Sequence, residues 1–362
     1  MQITSNTTAM EADLSLSTDK EGRSHCIVVV KGTFSVGRDG AVSLAKEQVP
    51  LVFADEHHGD PAETSIKYES DFAPFKPRCD VLVNGSAYAP GGKPATSVVV
   101  GLRVGAIDKS FTVLGEREWR RLLLWSYPSR PEPFERMPIS YDRAFGGADV
   151  SKRNPDKVKT YVENPVGVGY YPLKRGAALA GKPLPNTEET GRRVKRRKGK
   201  YRPMSFGPQE RNFPSRVRFA GTYDQKWQDE RYPFLPGDFD DQYFLSAPAD
   251  QQIPFLKGGE AVRCTRMNPE GVLGFVVPQM DVPIVGRFHD REERPAVNLD
   301  TLIVEPDQHR FILCWRARIP LGRKIHALRE VRVGTERSPE GSKPHFGSIQ
   351  ELIDWRKGVG PR

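Results

Sequence analysis

Short runs of Val, Ile and Thr, separated by Gly, Pro and Asn-Gly turns, occur towards both ends of the chain. Strands of antiparallel sheets have this composition and these breaks. Before the proline-rich centre, the pattern predicts strands over residues 25–36, 42–44, 65–68, 80–84, 96–104 and 110–114. After the centre, it predicts strands over residues 260–265, 273–277, 284–288, 299–304 and 309–319. The sequence therefore predicts a mainly β fold with antiparallel β-sandwich-like lobes.

The centre of the chain has a different pattern. Residues 128–258 hold 16 of the 31 prolines and show no long helical or strand periodicity. Because proline fixes φ and removes a backbone donor, long helices and strands are disfavoured there. We expect irregular structure with short helices, one of them beginning at Ala247-Pro248. Just before this centre, residues 116–125 fit a helix and an extended edge equally well.

These patterns divide the chain into segments. The first is polar and is expected to be flexible. The last is predicted to contain a helix, which Ser348 caps and whose apolar face includes Ile349 and Leu352. The segments are a flexible N-terminus (1–23), an N-terminal β lobe (24–127), a loop-rich centre (128–258), C-terminal strands that pack with the N-terminal lobe (259–346), and a C-terminal helix and tail (347–362).

Positive charge is concentrated in one loop. The formal net charge is +9, and the run from Arg192 to Arg202 holds eight Lys or Arg and no acid. This basic loop, residues 191–203, lacks helical amphipathicity and contains Gly199. Three interpretations stay open: a solvated excursion, a surface for an acidic partner, and a nucleic-acid contact. Nucleic acid ranks last because the aromatic residues interleave with acids rather than with bases.

Residues 219–252 carry large aromatics among acids, amides and turn residues, without helix or strand spacing. Aromatic side chains on proline-pinned backbone suit protein recognition, because they present large contact area at low entropic cost. The alternative is that the rings pack the interior of a loop-rich domain. The aromatics are Tyr223, Trp227, Tyr232, Phe234, Phe239, Tyr243 and Phe244.

Few groups could support catalysis or metal binding. The chain has no nucleophile elbow, zinc-protease motif, phosphate loop or dinucleotide fingerprint. His57 and His58 lack further ligands at useful spacing, so we expect a surface loop there. The cysteines form no CxxC pair and lie in apolar, strand-like runs, which favours buried thiols: Cys26, Cys79, Cys264 and Cys314.

The best acidic cluster is formed by Asp238, Asp240 and Asp241. The first two, Asp238 and Asp240, are the candidate pair. Alternation places the two carboxylates on one side, which suits a calcium ion or a hydrolase pair. We favour the alternative, in which these acids accept backbone hydrogen bonds in a turn or pair with Arg231. Asp142 and Arg143 are likewise interpreted as a structural polar pair rather than as active-site groups.

Besides the aromatic stretch, the chain contains five long motifs: CDVLVNGSAYAPGG (79–92), KSFTVLGEREW (109–119), PFERMPISYDRAFGG (133–147), NPVGVGY (164–170) and LPNTE (184–188). In this order the motifs resemble a bacterial family encoded in type VI secretion gene clusters. The resemblance spans roughly residues 25–315. Members of that family are regarded as effector adaptors or chaperones that act beside the VgrG spike and PAAR tip proteins.

The resemblance implies a non-catalytic adaptor that binds a toxin effector, or its PAAR-bearing segment, and loads it onto VgrG. We expect no cofactor, metal, small-molecule substrate or membrane partner. The apolar runs are too short to span a bilayer and the N-terminus lacks a secretory pattern, so we expect a cytoplasmic location. The predicted protein-binding residues are Tyr141, Arg143, Tyr223, Trp227, Tyr232, Phe234, Arg192, Arg193, Arg196 and Arg197.

Overall fold

The structure, a computed structural model, describes residues 2–123, 125–151, 153–322 and 327–335. This part of the chain is mainly β, which confirms the predicted fold class. The predicted C-terminal helix lies outside the described residues. No helix in the described part of the chain combines the length and the apolar character needed to cross a bilayer.

The strands are numbered in chain order. The first thirteen are β1 (Ile3–Asn6), β2 (Glu11–Thr18), β3 (Ser24–Val36), β4 (Val42–Leu44), β5 (Glu56–His57), β6 (Ile66–Tyr68), β7 (Cys79–Val83), β8 (Gly85–Tyr88), β9 (Ser97–Val104), β10 (Ile107–Leu114), β11 (Trp119–Leu122), β12 (Trp125–Pro128) and β13 (Arg136–Ile139). The others are β14 (Phe145–Gly146), β15 (Ala148–Val150), β16 (Val158–Thr160), β17 (Val168–Gly169), β18 (Thr187–Glu188), β19 (Gln252–Ile253), β20 (Ala261–Thr265), β21 (Val272–Val276), β22 (Ile284–Phe288), β23 (Glu292–Glu293), β24 (Val297–Glu305), β25 (Arg310–Pro320) and β26 (Leu328–Val333).

Helices are short and lie mostly in the centre of the chain. The α-helices are α1 (Pro214–Val217) and α2 (Gln225–Glu230). Pro248 stands at the start of a 3₁₀ helix, where the sequence predicts a short helix. Another 3₁₀ helix links β24 to β25, which pair as an antiparallel hairpin. The 3₁₀ helices are Pro90–Gly92, Tyr141–Arg143, Gly176–Ala178, Asp241–Phe244, Ala249–Gln251 and Pro306–Gln308.

The largest sheet joins strands from both ends of the chain. Its order is β19-β7-β24-β25-β3-β2, and β4 also pairs with β3. β25 pairs with β3 along eleven residues, from Arg310 to Pro320, and β24 lies parallel to β7. The N-terminal and C-terminal strand sets therefore share one sheet rather than forming separate lobes.

Two smaller sheets cover one face of this main sheet. Their orders are β18-β10-β9-β20-β21 and β1-β26-β22-β23. One continuous core lies between the three sheets, because apolar side chains alternate inward along each strand. At its centre Phe311 stacks on Phe275, with ring centroids 4.2 Å apart, and on Phe34 at 5.2 Å.

The opposite face of the main sheet is also buried, but it carries charged side chains. On this face Lys31 pairs with Asp71 at 2.8 Å, and Arg316 pairs with Asp300 at 2.7 Å. Segments from the loop after β4 and from the centre of the chain cover these pairs. A sheet buried on both faces explains the unbroken apolar run predicted as the first long strand.

The N-terminal segment differs from the prediction. The polar composition of residues 1–23 predicts a flexible segment, but β1 pairs with β26 and β2 pairs with β3 along its whole length. Met10 between these strands is 4% exposed and packs over Gly32. An edge strand needs few apolar side chains, because its backbone pairs on one side and its outer face meets water.

A minor core, separate from the main one, lies in the centre of the chain. Trp119 from β11 is 2% exposed and packs with Phe145, Leu184 and Val194. The centre is therefore irregular in backbone but has packed aromatic cores of its own. This minor core joins hairpin β11–β12 to the basic loop.

Candidate functional site

Four aromatic side chains from the central segment form an exposed surface, which we term the aromatic patch: Tyr223, Trp227, Tyr232 and Phe234. Tyr232 is 70% exposed, Tyr223 53% and Phe234 45%, whereas Trp227 is half-buried between its neighbours. The rings of Tyr223 and Tyr232 both meet the Trp227 ring edge-on, with ring centroids 4.7 Å and 5.8 Å from it. The half-buried indole is therefore flanked by exposed rings.

Local hydrogen bonds hold the patch in shape. Asp224 caps α2, because its carboxylate accepts from the backbone N–H of Trp227 at 2.8 Å. The Trp227 indole N–H donates to the carbonyl of Phe234 at 2.8 Å. This bond closes the loop after α2, which contains a cis peptide bond between Tyr232 and Pro233. The rings therefore project from a fixed backbone.

The patch is joined to the N-terminal segment. Arg231 donates to the carbonyl oxygens of Lys20 and Leu235. The Phe234 ring lies over Gly22, and a Cβ built there would approach the ring within 3.2 Å. Gly22 has φ +79°, which favours glycine, so the turn between β2 and β3 fits closely beneath the ring. The N-terminal strands therefore help to support the patch.

The second half of the aromatic stretch is structural. Phe239 is 3% exposed, and its ring packs against those of Tyr243 and Phe244 at 5.7 and 5.4 Å. The stretch thus divides into an exposed part and a packed part. Both interpretations of its aromatics apply, each to a different half.

Asp238 and Asp240 bond to their own backbone surroundings. Asp238 accepts from the backbone N–H of Thr222 at 3.0 Å and from its hydroxyl at 2.7 Å, and these bonds lower the pKa of Asp238. Asp240 caps a 3₁₀ helix by accepting from the Gln242 N–H at 2.8 Å. These contacts fit the turn-forming interpretation, and the hydrolase alternative stays a prediction.

Tyr141 and Arg143 occupy a different environment from the patch. Tyr141 is 3% exposed, meets Phe213 edge-on at 5.4 Å and accepts from Gln209 at 3.1 Å. Burial raises the pKa of the Tyr141 hydroxyl. Tyr141 therefore does not belong to an exposed binding surface, contrary to the sequence-based assignment. Arg143 is about one-third exposed and bonds to Glu116 at 3.1 Å.

The basic loop is folded onto the minor core through Val194, which is 1% exposed. Arg197 donates to the carbonyls of Tyr171 and Pro172, and burial lowers its pKa. The other basic side chains predicted to bind protein are exposed. Arg192 pairs with Glu189 at 3.0 Å, whereas Arg193 lies 4.0 Å from Glu188 and Arg196 projects outward.

The positive charge extends beyond this loop. Residues 144–203 hold 15 Lys or Arg and 5 Asp or Glu, a net charge of +10. The rest of the chain is therefore close to neutral. The basic loop belongs to a basic region that surrounds the minor core, and it is not an isolated run.

Hairpin β11–β12 exposes an apolar surface that is not among the predicted protein-binding residues. Leu123 is 80% exposed, Trp125 78% and Leu122 63%. Leu123 also has φ +52°, as the tip of a tight hairpin requires. The available signal was the LLLW run between arginines, which contrasts with the polar residues around it.

The remaining candidates bring no reactive cluster together. The four cysteines are buried and unpaired, as predicted. His57 ends a short strand, and Asp60 caps the following turn by accepting from the Ala62 N–H at 2.9 Å. Within the described ranges, no three His, Cys, Asp or Glu side chains gather where they could hold a metal ion.

The fold and the patch define a mainly β protein with an exposed aromatic surface on its irregular central segment. Residues 21–316 match the family described as "uncharacterized protein conserved in bacteria (DUF2169)". Since the match covers well over half of the 362 residues, the protein belongs to this family. No curated protein and no solved structure matched the chain.

Proposed function

We propose that the protein is a non-catalytic adaptor, or chaperone, of type VI secretion. It binds a toxin effector, or the PAAR-bearing segment of one, in the cytoplasm and loads it onto the VgrG spike. The observation that carries the proposal is the aromatic patch, in which three large rings are about half exposed or more on hydrogen-bonded backbone.

The patch has the chemistry of a protein-binding surface. Tyr and Trp are enriched among residues that dominate binding energy, because they bury large area and lose few rotamers. Fixed loop geometry reduces the entropic cost of binding further. The exposed arginines of the basic region offer directional bonds to acidic groups of the cargo. A surface of this kind supports moderate affinity, which allows the cargo to be released.

The proposal is tested by affinity capture from cells that carry the whole gene cluster, with mass spectrometry of the bound proteins. The wild-type chain is expected to retain an effector, PAAR or VgrG protein. Combining Tyr223→Ala with Tyr232→Ala removes two exposed rings and is expected to weaken capture at least about tenfold. Secretion of the same toxin should fail in cells that lack the adaptor.

Phe53→Ala is the matched control, because Phe53 is 67% exposed but lies outside the patch. That variant should capture cargo like the wild type. Recovery of no effector, PAAR or VgrG protein by the wild-type chain would contradict the proposal. Equal loss of capture in the patch variant and in the Phe53 variant would show that the patch is not the specific binding surface.

A further inference from the structure

A groove runs from the aromatic patch across the end of the main sheet, where β3 begins and β25 ends. Its largest part is a cavity of about 730 Å³ lined by residues from Gly22 to His25 and by Arg318 and Pro320. A second cavity, of about 360 Å³, shares Arg318 and Pro320 as walls and extends to Phe75. A third, of about 20 Å³, adjoins both and includes His25 and Arg318. Arg318 therefore stands at the junction of all three.

The groove is continuous with the patch. Gly22 lines the largest cavity, and the Phe234 ring lies over the same glycine. A polypeptide that covers Phe234 would therefore enter the groove directly. The groove passes from Gly22 through Arg318 to Phe75 and Asn298, so it suits an extended chain better than a compact ligand.

Arg318 is the cation of the groove that lacks a partner. It is half-buried, its guanidinium carbon lies 5.2 Å from the centre of the Phe75 ring, and it forms no side-chain hydrogen bond or ion pair with any described residue. Arg316, two positions earlier on the same face, is instead bonded to Asp300 at 2.7 Å. A guanidinium stacked on an aromatic ring keeps its donors free for a planar anion.

No described acidic side chain near Arg318 already forms an ion pair with its guanidinium. Glu293 in the second cavity pairs with Arg291 at 2.9 Å, and Asp300 pairs with Arg316. Asp19 and Asp241 line the small cavity, and Asp19 is bonded to Arg23 and His25. Burial raises the pKa of Asp241 and the charge of Arg318 opposes that shift, but the two side chains form no ion pair. The Arg318 guanidinium therefore has no carboxylate bonded to it among the described residues of the groove.

His25 adds a second polar group without a full set of partners. It is 7% exposed and lines both the large and the small cavity. Its Nε2 lies 3.0 Å from an Asp19 oxygen, whereas its Nδ1 has no hydrogen-bond partner among the described residues. Asp19 is itself fixed by the backbone N–H of Arg23 at 2.9 Å. The ring is therefore held in place, and a bridging water could satisfy its buried Nδ1.

We propose that this groove binds an extended segment of the cargo polypeptide, with a Glu or Asp side chain on Arg318 and an apolar side chain on the aromatic patch. The inference rests on the proposed function and specifies the chemistry of the partner. The carboxylate accepts from the guanidinium, and the peptide backbone follows the groove.

The test uses the full chain and two libraries of acetylated, amidated decapeptides that differ only in Glu against Gln at one fixed position, with Trp at varied distances from it. The wild type is expected to bind the Glu library about tenfold more tightly. Arg318→Gln should abolish that difference. Arg263→Gln, which alters an exposed arginine on β20 outside the groove, should preserve it.

Equal binding of the two libraries by the wild type, or an unchanged preference in Arg318→Gln, would overturn the inference. Arg318→Lys keeps the charge without the planar fork and should retain part of the preference, which separates charge loss from misfolding. Stronger binding of peptides with a free C-terminal carboxylate than of the Glu library would assign the site to chain ends, against the proposal.

The outcome is separable from the proposed function. Capture of a native effector that Arg318→Gln leaves unchanged would refute the groove and leave the adaptor role standing. Discrimination between the Glu and Gln libraries, without any type VI protein in the capture experiment, would support the groove and contradict the adaptor role.

Discussion

At the residue scale, Lys109 shows how burial changes a side chain that the sequence marks only as part of a motif. It is 7% exposed, donates to the Gln251 side chain at 2.6 Å and pairs with Asp250 at 3.2 Å. Burial lowers the pKa of Lys109 to about 8, although Asp250 opposes the shift. Asp250 also pairs with Arg202 at 2.7 Å, so it would keep a partner if Lys109 were replaced.

This pKa predicts a pH-dependent stability difference between the wild type and Lys109→Met. Between pH 8 and the ordinary lysine pKa of 10.5, the unfolded chain holds the Lys109 proton and the folded chain loses it. The wild type should therefore gain stability with rising pH, by about 3 kcal/mol relative to Lys109→Met across this window. Urea unfolding of both proteins at pH 7, 8, 9 and 10 measures the difference. A difference that stays constant with pH would contradict it.

Tyr141 and Tyr232 show why the sequence located the candidate site only in part. Both occur in family motifs beside proline and acidic residues, yet Tyr141 is 3% exposed and Tyr232 is 70% exposed. The difference arises because Phe213 and Gln209 cover Tyr141 from more than sixty positions away. Residue type and local spacing contain no information about such contacts.

At the scale of single elements, hairpin β11–β12 shows how tertiary contacts decide an ambiguous pattern. Residues 116–125 fit a helix and an extended edge equally well from sequence alone. The extended form places Trp119 in the minor core, 2% exposed, and leaves Trp125 on the outside, 78% exposed. Packing of Trp119 in the minor core therefore favours the strand over the helix. The strand in turn leaves the apolar tip of the hairpin exposed.

The two tryptophans of this hairpin give a matched pair of variants. Trp119→Ala leaves a cavity beside Phe145 and Leu184 and should lower the free energy of unfolding by about 3–5 kcal/mol. Trp125→Ala removes an exposed ring and should change it by less than about 0.5 kcal/mol. Denaturant unfolding of both variants checks the prediction. Similar losses in the two would mean that Trp125 is covered in the folded protein.

At the scale of the whole molecule, runs of β-branched residues between turn residues predicted most long strands, but these runs did not predict which strands pair. β7 lies beside β24, and β3 lies beside β25, although the whole irregular centre separates the partners along the chain. Pairing across such distances depends on how sheet faces pack on a shared core, which a local period does not encode. The polar N-terminal strands were not predicted for the same reason, because β1 and β2 are held in place by pairing with β26 and β3.

The last prediction concerns the N-terminal strands, which should contribute to the stability of the whole fold. Removing residues 2–18 uncovers the edge of β3 along eight residues and takes Met10 out of the main core. Loss of a buried methionine alone costs about 2–5 kcal/mol, so the melting temperature should fall by about 5 °C or more. The bare edge of β3 should also promote self-association, visible by size-exclusion chromatography.

Leu16→Ala is the control, since this side chain is 57% exposed and the backbone pairing stays intact. A truncated chain that melts like the wild type and stays equally dispersed would show that these residues contribute nothing to the sheet, as their polar composition alone would predict.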